Sequence, residues 1–161
     1  MLFYKILFHL KAIIKKMFLK LIYRKKIKFG KHVSFRRRFN VFIDKKGLVN
    51  IGNNVFFNND CSINAMDKIT IGDNTIFGEN VKIYDHNHAF KNRDTLIKEQ
   101  GFKTDKIEIG KNCWIGSNVV ILKGVSIGNN CVIGAGCVIR QDISSNSLVQ
   151  NNRDIDIKTI I

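Results

Sequence analysis

The fold is decided by residues 107–140, which read IEIGKNCWIGSNVVILKGVSIGNNCVIGAGCVIR. Every sixth residue within this stretch is isoleucine, without interruption: Ile109, Ile115, Ile121, Ile127, Ile133 and Ile139. Neither an α-helix nor a β-hairpin repeats with a period of six residues. A short strand followed by a corner has this period if each such rung turns one bulky side chain inward. The repeat therefore predicts a coil built of six-residue rungs.

The same pattern extends toward the N-terminus as far as Ile27. Its signature is an aliphatic residue, any residue, Ile or Phe, Gly, any residue, and Asn or His. The signature occurs at residues 27–32, 49–54, 69–74, 107–112 and 125–130. Gly and Asn dominate the predicted corners, and both tolerate positive φ at low cost. Stacked coils of this kind would bury a continuous column of Ile, Val and Phe.

The cysteines fit the same column. Each lies four residues after an inward-facing rung residue, at a position that holds valine elsewhere: Cys61, Cys113, Cys131 and Cys137. Cysteine behaves as a small hydrophobe in such a position. The chain has no C-x2-C pair of the kind that structural zinc sites use. We therefore expect buried thiols, no metal, and a reducing cytoplasmic compartment.

Positive charge is concentrated at the N-terminus. The chain carries a formal charge of +14, but residues 1–38 hold 13 of its 27 Lys and Arg and no acidic residue. The remaining residues carry 14 basic and 13 acidic side chains, so the repeat region is nearly neutral. Such a distribution belongs to one segment rather than to a nucleic-acid-binding surface, and we expect no nucleic acid as a partner.

Residues 1–26 predict an amphipathic helix. Its apolar side chains recur at helical spacing: Leu7, Leu10, Ile14, Met17 and Leu21. No uncharged run reaches the ~18 residues of a transmembrane span. Two interpretations stay open. The apolar stripe packs on its own domain or on a sister subunit, or the helix lies on an anionic membrane surface at the cytoplasmic face of the inner membrane.

The rungs stop between Ile83 and Ile107. A long insertion in a compact repeat is usually functional or disordered. Asp85, His86 and His88 lie at the start of this insertion, so two of the chain's four histidines are here.

A hexapeptide repeat with this insertion resembles the hexapeptide-repeat O-acetyltransferases, namely galactoside and maltose acetyltransferases and their capsule and O-antigen relatives. The resemblance covers about residues 27–144 and implies an all-β fold, a left-handed parallel β-helix with three rungs per coil. Residues 84–106 then form a protruding loop and residues 145–161 a C-terminal tail. The family also implies a homotrimer with active sites between neighbouring subunits.

The resemblance assigns roles to residues by register. His88 falls on the catalytic histidine, a general base that takes the acceptor's hydroxyl proton, and Ser117 supplies a backbone N–H to the oxyanion. Acceptor-binding positions are Asn58, Asp85 and His86. Acetyl-CoA-binding positions are Trp114, Gly116, Ser117, Gly134, Ala135, Arg140, Gln141 and Lys158. The chain departs from the family near its C-terminus, where residues 149–153 read VQNNR in place of a Gly-x-Pro-Ala segment.

The function implied is acetyl-CoA-dependent acetylation of a sugar hydroxyl, on a surface polysaccharide or its lipid-linked precursor. An N-acetyltransferase acting on a nucleotide-linked amino sugar is an alternative, as is a non-catalytic β-helix scaffold. A zinc hydratase of the γ-carbonic-anhydrase type needs a third histidine ligand. The two remaining histidines, His9 and His32, precede the insertion by far, so the pattern disfavours that reading.

Overall fold

The computed structural model describes residues 2–151, with side chains from residue 10 onward. Helix α1 spans Leu2–Tyr23 and is followed by a 3-10 turn at Arg24–Lys26. A second 3-10 turn lies at Ile97–Glu99. The strands, in chain order, are β1 Ile27–Phe29, β2 Ser34–Phe35, β3 Asn40–Ile43, β4 Leu48–Ile51, β5 Phe56–Phe57, β6 Ser62–Ala65, β7 Lys68–Ile71, β8 Ile76–Phe77, β9 Lys82–Tyr84, β10 His86–His88, β11 Phe102–Thr104, β12 Ile107–Ile109, β13 Trp114–Ile115, β14 Val120–Ile121, β15 Ser126–Ile127, β16 Val132–Ile133, β17 Val138–Ile139 and β18 Leu148–Val149.

All strands except β10 and β11 form three parallel sheets that wrap around one core. Face 1 contains β1, β4, β7, β12 and β15; face 2 contains β2, β5, β8, β13, β16 and β18; face 3 contains β3, β6, β9, β14 and β17. Each coil gives one strand to each face in turn, so the chain builds a three-sided solenoid of about six coils. The predicted parallel β-helix is confirmed, and its last rung is β18, which pairs with β16.

The six-residue period sets the register between coils. Phe35 lies beside Phe57 and Phe57 beside Phe77, so equivalent inward residues stack directly along the prism. The Phe57 and Phe77 rings are parallel within 11°, with centroids 4.5 Å apart. All four cysteines are buried as free thiols, as predicted. Burial raises the pKa of Cys61 and Cys113.

Glycine and asparagine have different roles at the corners, although the sequence suggested one shared role. Asn54 has φ 55° and Asn130 φ 57°, so asparagine takes the left-handed conformation. Gly52 has no positive φ, but a Cβ there would lie 2.8 Å from the backbone nitrogen of Asp73 in the next coil. Asn54 Nδ2 donates to Asn74 Oδ1 at 3.0 Å, which links coils by a side-chain ladder.

Helix α1 closes the open end of the first coil. Ala12 and Leu19 are buried against it. Lys15 Nζ donates to the carbonyl oxygen of Phe39, and Lys16 Nζ to that of Val33 at 2.8 Å. These side chains satisfy carbonyl groups that an edge coil leaves unpaired. Burial lowers the pKa of both lysines.

The packing of α1 corrects one expectation. The sequence allowed the apolar stripe of Leu10, Ile14, Met17 and Leu21 to pack on its own domain, but these side chains are exposed on the opposite side of the helix. The coil instead receives Ala12, Lys15, Lys16, Leu19 and Tyr23, because the open carbonyl edge needs hydrogen-bond donors. Within residues 2–151, no helix is long and apolar enough to cross a bilayer.

Candidate functional site

The insertion forms a hairpin arm, residues 86–104, that leaves the solenoid at the corner between faces 3 and 1. Strands β10 and β11 pair antiparallel, with His86 opposite Thr104 and His88 opposite Phe102. The backbone N–H of Asp105 donates to the carbonyl of Asp85 at 2.9 Å, which closes the root of the arm. The arm is therefore held to the third coil at a defined position.

Asp85 anchors the root of the arm. Its carboxylate is fully buried. The carboxylate accepts backbone hydrogen bonds from Met66 and Asp67, each at 2.8 Å. His86 Nδ1 lies 3.0 Å from Asp85 Oδ1, and the His86 side chain is 15% exposed. The structure therefore gives Asp85 backbone partners in the preceding corner and places His86 against it.

His88 lies further along the arm and is exposed. It shares one side of β10 with His86 because the two residues are two positions apart in a strand. The Phe102 ring lies beside both imidazoles, with centroid distances of 4.4 Å to His88 and 5.4 Å to His86. Phe102 thus supports the His88 ring from one side, and the sequence pattern gave no indication of that contact.

Four of the predicted acetyl-CoA residues meet on a different corner, between faces 2 and 3: Gly116, Ser117, Gly134 and Ala135. Gly78, Gly116 and Gly134 occupy equivalent positions in successive coils, so no side chain projects there. A Cβ on Gly78 would lie 2.6 Å from Ser117 N, and one on Gly116 would lie 2.7 Å from Ala135 N. Close packing of the coils therefore requires these glycines.

Ser117 has a backbone N–H on this edge that finds no hydrogen-bond acceptor within residues 2–151. At equivalent corner positions the N–H donates to a side-chain oxygen in the next coil: Glu79 N to Ser117 Oγ at 3.1 Å, and Asn129 N to Ser145 Oγ at 2.9 Å. In the next coil the position equivalent to Ser117 is occupied by Ala135, whose side chain has no oxygen. Among the described residues none accepts a hydrogen bond from Ser117 N.

Asn58 lies on the same edge, two coils before Ser117. Its Oδ1 accepts hydrogen bonds from its neighbour Asn59 N at 2.9 Å and from Arg36 Nη1 at 3.3 Å. The side chain is half-buried, and its position in the following coils is taken by glycine. The edge beyond Asn58 is therefore lined by glycine, with one polar side chain at its end.

Trp114 lies on the outer surface of face 2, two residues before Gly116, and is 55% exposed. Its neighbours across the strands are Ile76 and Val132. With Phe56 and Leu148 in the same outward row, face 2 carries an apolar column beside this edge. An exposed indole in such a column is suited to contact an apolar portion of a ligand or a second protein surface.

The predicted site residues thus divide between two edges of the solenoid. The edge between faces 2 and 3 carries Asn58, Trp114, Gly116, Ser117, Gly134 and Ala135. The edge between faces 3 and 1 carries the arm with Asp85, His86 and His88, and, two coils further on, Arg140 and Gln141. A six-residue rung separates the edges by up to about 20 Å. Lys158 lies outside the described residues.

Metal-binding geometry is not found within residues 2–151. No three His, Cys, Asp or Glu side chains of that part come together as a metal-binding group.

Comparison with known proteins agrees with the fold. The family described as bacterial transferase hexapeptide (six repeats) matches residues 106–141. A maltose O-acetyltransferase from Clostridium difficile 630 is 35% identical with a TM-score of 0.67, over 83% of this chain and 70% of that one. A hexapeptide-repeat acetyltransferase from Vibrio cholerae, solved with acetyl coenzyme A, is 26% identical with a TM-score of 0.67, over 83% and 71% of the two chains.

The Escherichia coli (strain K12) protein named putative lipopolysaccharide biosynthesis O-acetyl transferase WbbJ is 30% identical over 111 residues, 65% of this chain and 57% of that protein. The chain therefore belongs to the hexapeptide-repeat acetyltransferase family. It spans about half the length of the curated relatives that it matches. Several relatives are named as acetyltransferases, and two of the solved ones contain acetyl-CoA or coenzyme A.

Proposed function

We propose that this protein is an acetyl-CoA-dependent O-acetyltransferase that acts on a sugar hydroxyl. The observation that carries the proposal is the free N–H of Ser117 on a glycine-lined edge, in a chain whose arm presents an exposed histidine. Acetyl transfer needs one donor for the developing oxyanion and one base for the hydroxyl proton. In this proposal Ser117 N is the donor to the oxyanion and His88 is the base.

The reaction is a direct transfer without a covalent enzyme intermediate. His88 takes the hydroxyl proton while the acceptor oxygen attacks the acetyl carbonyl carbon. The carbonyl oxygen becomes an oxyanion that accepts a hydrogen bond from Ser117 N. The C–S bond then breaks, the O-acetyl ester remains on the sugar, and coenzyme A leaves as thiolate and takes up the proton. The cysteines take no part, because they are buried in the solenoid core.

A complete site requires a second copy of the chain. His88 and Ser117 lie on different edges, so in one copy a side of the prism separates them. In the proposed homotrimer the arm of one subunit reaches the edge between faces 2 and 3 of its neighbour. The apolar column on face 2, which includes Trp114 and Ile76, supports such an assembly because it offers an exposed surface for burial.

The proposed contacts of acetyl-CoA follow the edge between faces 2 and 3. The pantetheine arm would lie along the surface of this edge beside Ser117 and Ala135, and Trp114 would flank it. Arg140 and Gln141 of the other edge would meet the nucleotide portion across the subunit boundary, and Arg140 supplies a positive charge for its phosphates. Asn58 is proposed to hold the acceptor hydroxyl.

The acceptor class is proposed from the relatives' names, which include lipopolysaccharide biosynthesis and maltose acetylation. The test is incubation of the protein with acetyl-CoA and a panel of acceptors: maltose, galactosides, lipopolysaccharide and a nucleotide-linked amino sugar. Coenzyme A release with an ester-linked acetyl product supports the proposal, whereas an amide product identifies an N-acetyltransferase instead. If none of these acceptors causes release of coenzyme A, the result would contradict both the O-acetyltransferase and the N-acetyltransferase assignment.

The base is tested by His88→Ala against His86→Ala. Loss of general-base help is typically worth about 10²–10⁴-fold in rate, so we expect that loss for His88→Ala and a much smaller one for His86→Ala. Circular dichroism of both variants checks the fold. If His88→Ala is active while His86→Ala is folded but inactive, His86 is the base.

A further inference from the structure

The outer side of α1 is an apolar stripe that no described residue of the chain covers. The exposed fractions are 53% for Leu10, 59% for Ile14, 67% for Met17 and 74% for Leu21. Ile13 and Phe18, on the flanks of the stripe, are also exposed. The buried side of the helix holds Lys15 and Lys16, so the more apolar side of this helix faces away from the protein. Exposed apolar surface of this extent marks an interaction site.

A basic cavity adjoins the C-terminal end of the stripe. It has a volume of about 660 Å³ and is lined by Lys20, Arg24, Lys25, Ile27, Lys28 and Phe29. Four of these six residues are cationic and none is acidic. Arg24 has φ 49°, a conformation that non-glycine residues adopt rarely, at the point where the chain turns from α1 into the first coil. The cavity therefore joins cations from the helix, the turn and β1.

We propose that the apolar stripe and the basic cavity together bind the surface of an anionic phospholipid bilayer. Leu10, Ile14, Met17 and Leu21 would enter the boundary between headgroups and acyl chains, as the apolar side of an interfacial helix does. Lys20, Lys25 and Lys28 would meet lipid phosphates at the headgroup level. The helix would lie in the plane of the interface and would not cross it.

The charge of the segment favours a lipid surface over a second copy of α1. Residues 1–38 contain no acidic residue. Two α1 helices that paired through their stripes would bring cations such as Lys11 and Lys20 of both copies together without any acidic partner from this segment. An anionic bilayer supplies the opposite charge for the same cations and covers the apolar side chains as well.

The position of α1 determines how the protein would stand on the membrane. Lys15, Lys16 and Tyr23 donate hydrogen bonds to carbonyl groups of the first coil, so the helix lies across one end of the solenoid. The arm leaves the third coil, two strand spacings or about 10 Å beyond the first. Given the proposed function, this arrangement would hold the arm close to a lipid-linked acceptor.

The test is co-sedimentation of the full chain with vesicles, in a sodium chloride series. One set of vesicles is phosphatidylcholine alone and the other contains equal parts of phosphatidylcholine and phosphatidylglycerol. We expect binding to the anionic vesicles at low salt, and weaker binding as salt screens the cations. No acetyl-CoA is present, so the result does not depend on the proposed enzyme activity.

Two variants separate the two parts of the surface. Leu10→Gln combined with Ile14→Gln, Met17→Gln and Leu21→Gln removes the stripe and leaves the buried side of α1 unchanged. The second variant removes three cations from the cavity by Lys20→Gln, Lys25→Gln and Lys28→Gln. Each cation near an anionic surface contributes about fivefold to the binding affinity. We expect losses of at least about 100-fold for each set at low salt. A control variant removes the same charge from the arm by Lys91→Gln, Lys98→Gln and Lys103→Gln. This variant should bind the vesicles as the unaltered protein does.

Each outcome decides the proposal. Absence of binding to anionic vesicles at low salt would overturn it, as would equal binding to both kinds of vesicle. If the arm variant loses as much binding as the variant without Lys20, Lys25 and Lys28, only the net charge of the protein matters. That result would also overturn the assignment to α1. If the stripe variant binds vesicles normally but has a smaller mass by light scattering than the unaltered protein, the stripe is a contact between copies and the proposal is wrong.

Discussion

Ala135→Ser should block the proposed oxyanion donor while it leaves the fold intact. In the unaltered chain Ala135 has no acceptor for the N–H of Ser117. A serine there would place an Oγ where the equivalent corners have one: Ser117 Oγ accepts from Glu79 N at 3.1 Å, and Ser145 Oγ accepts from Asn129 N at 2.9 Å. The substitution therefore completes a corner-to-corner hydrogen bond that this position lacks.

Ala135→Ser should raise the free energy of unfolding and lower kcat. A new intramolecular hydrogen bond contributes about 0.5–1.5 kcal/mol to the free energy of unfolding. Removal of one oxyanion donor costs about 10²–10³-fold in kcat. Ala135→Ser should therefore be as stable as the unaltered protein or more so, and should turn over at least about 100-fold more slowly. Urea denaturation and coenzyme A release with a saturating acceptor measure the two quantities.

Two controls isolate the hydrogen bond from side-chain size and from corner packing. Ala135→Val adds bulk without an acceptor, so its loss of kcat measures steric obstruction alone. Lys111→Ser makes the analogous change at the edge between faces 1 and 2, where Asp73 N also has no acceptor among the described residues. Lys111→Ser should keep full activity. If Ala135→Ser retains full kcat, or loses no more than Ala135→Val, Ser117 N is not the oxyanion donor.

Three further predictions concern the buried groups. Replacement of Cys131 or Cys137 by Ala should cost on the order of 1 kcal/mol in the free energy of unfolding and leave acetyl transfer measurable, as core truncations do; specific loss of turnover in a folded variant would implicate a thiol in the chemistry. Burial raises the pKa of Cys61 and Cys113, so these thiols stay protonated in the folded protein, and iodoacetamide should label them at pH ~8 only after unfolding. Asp85→Ala leaves the N–H groups of Met66 and Asp67 without their acceptor and should destabilise the protein by about 1–3 kcal/mol for each N–H, measured by urea denaturation; an unchanged midpoint would show that water replaces the carboxylate.

The sequence by itself determined the solenoid, the stacking register and the place of the cysteines. These features follow from a six-residue period, which is a local property: each rung repeats the same strand and the same corner, so every coil places its inward residue over the one before. The insertion at residues 84–106 was visible for the same reason, since it interrupts a regular pattern. Its hairpin form and the Phe102 contact with His88 were not visible, because they depend on pairing between strands that share no repeat.

Only the tertiary structure decided which groups are free and which are paired. In the described part of the chain the N–H of Ser117 has no acceptor, because the residue stacked on it, 18 positions later in the chain, is Ala135 rather than Ser or Asn. Asp85 is buried because the preceding corner offers it two N–H groups. The apolar stripe of α1 faces outward because the open edge of the first coil needs donors, and Lys15 and Lys16 supply them. In each case the deciding partner is distant in sequence, so no pattern in the neighbouring residues could reveal it.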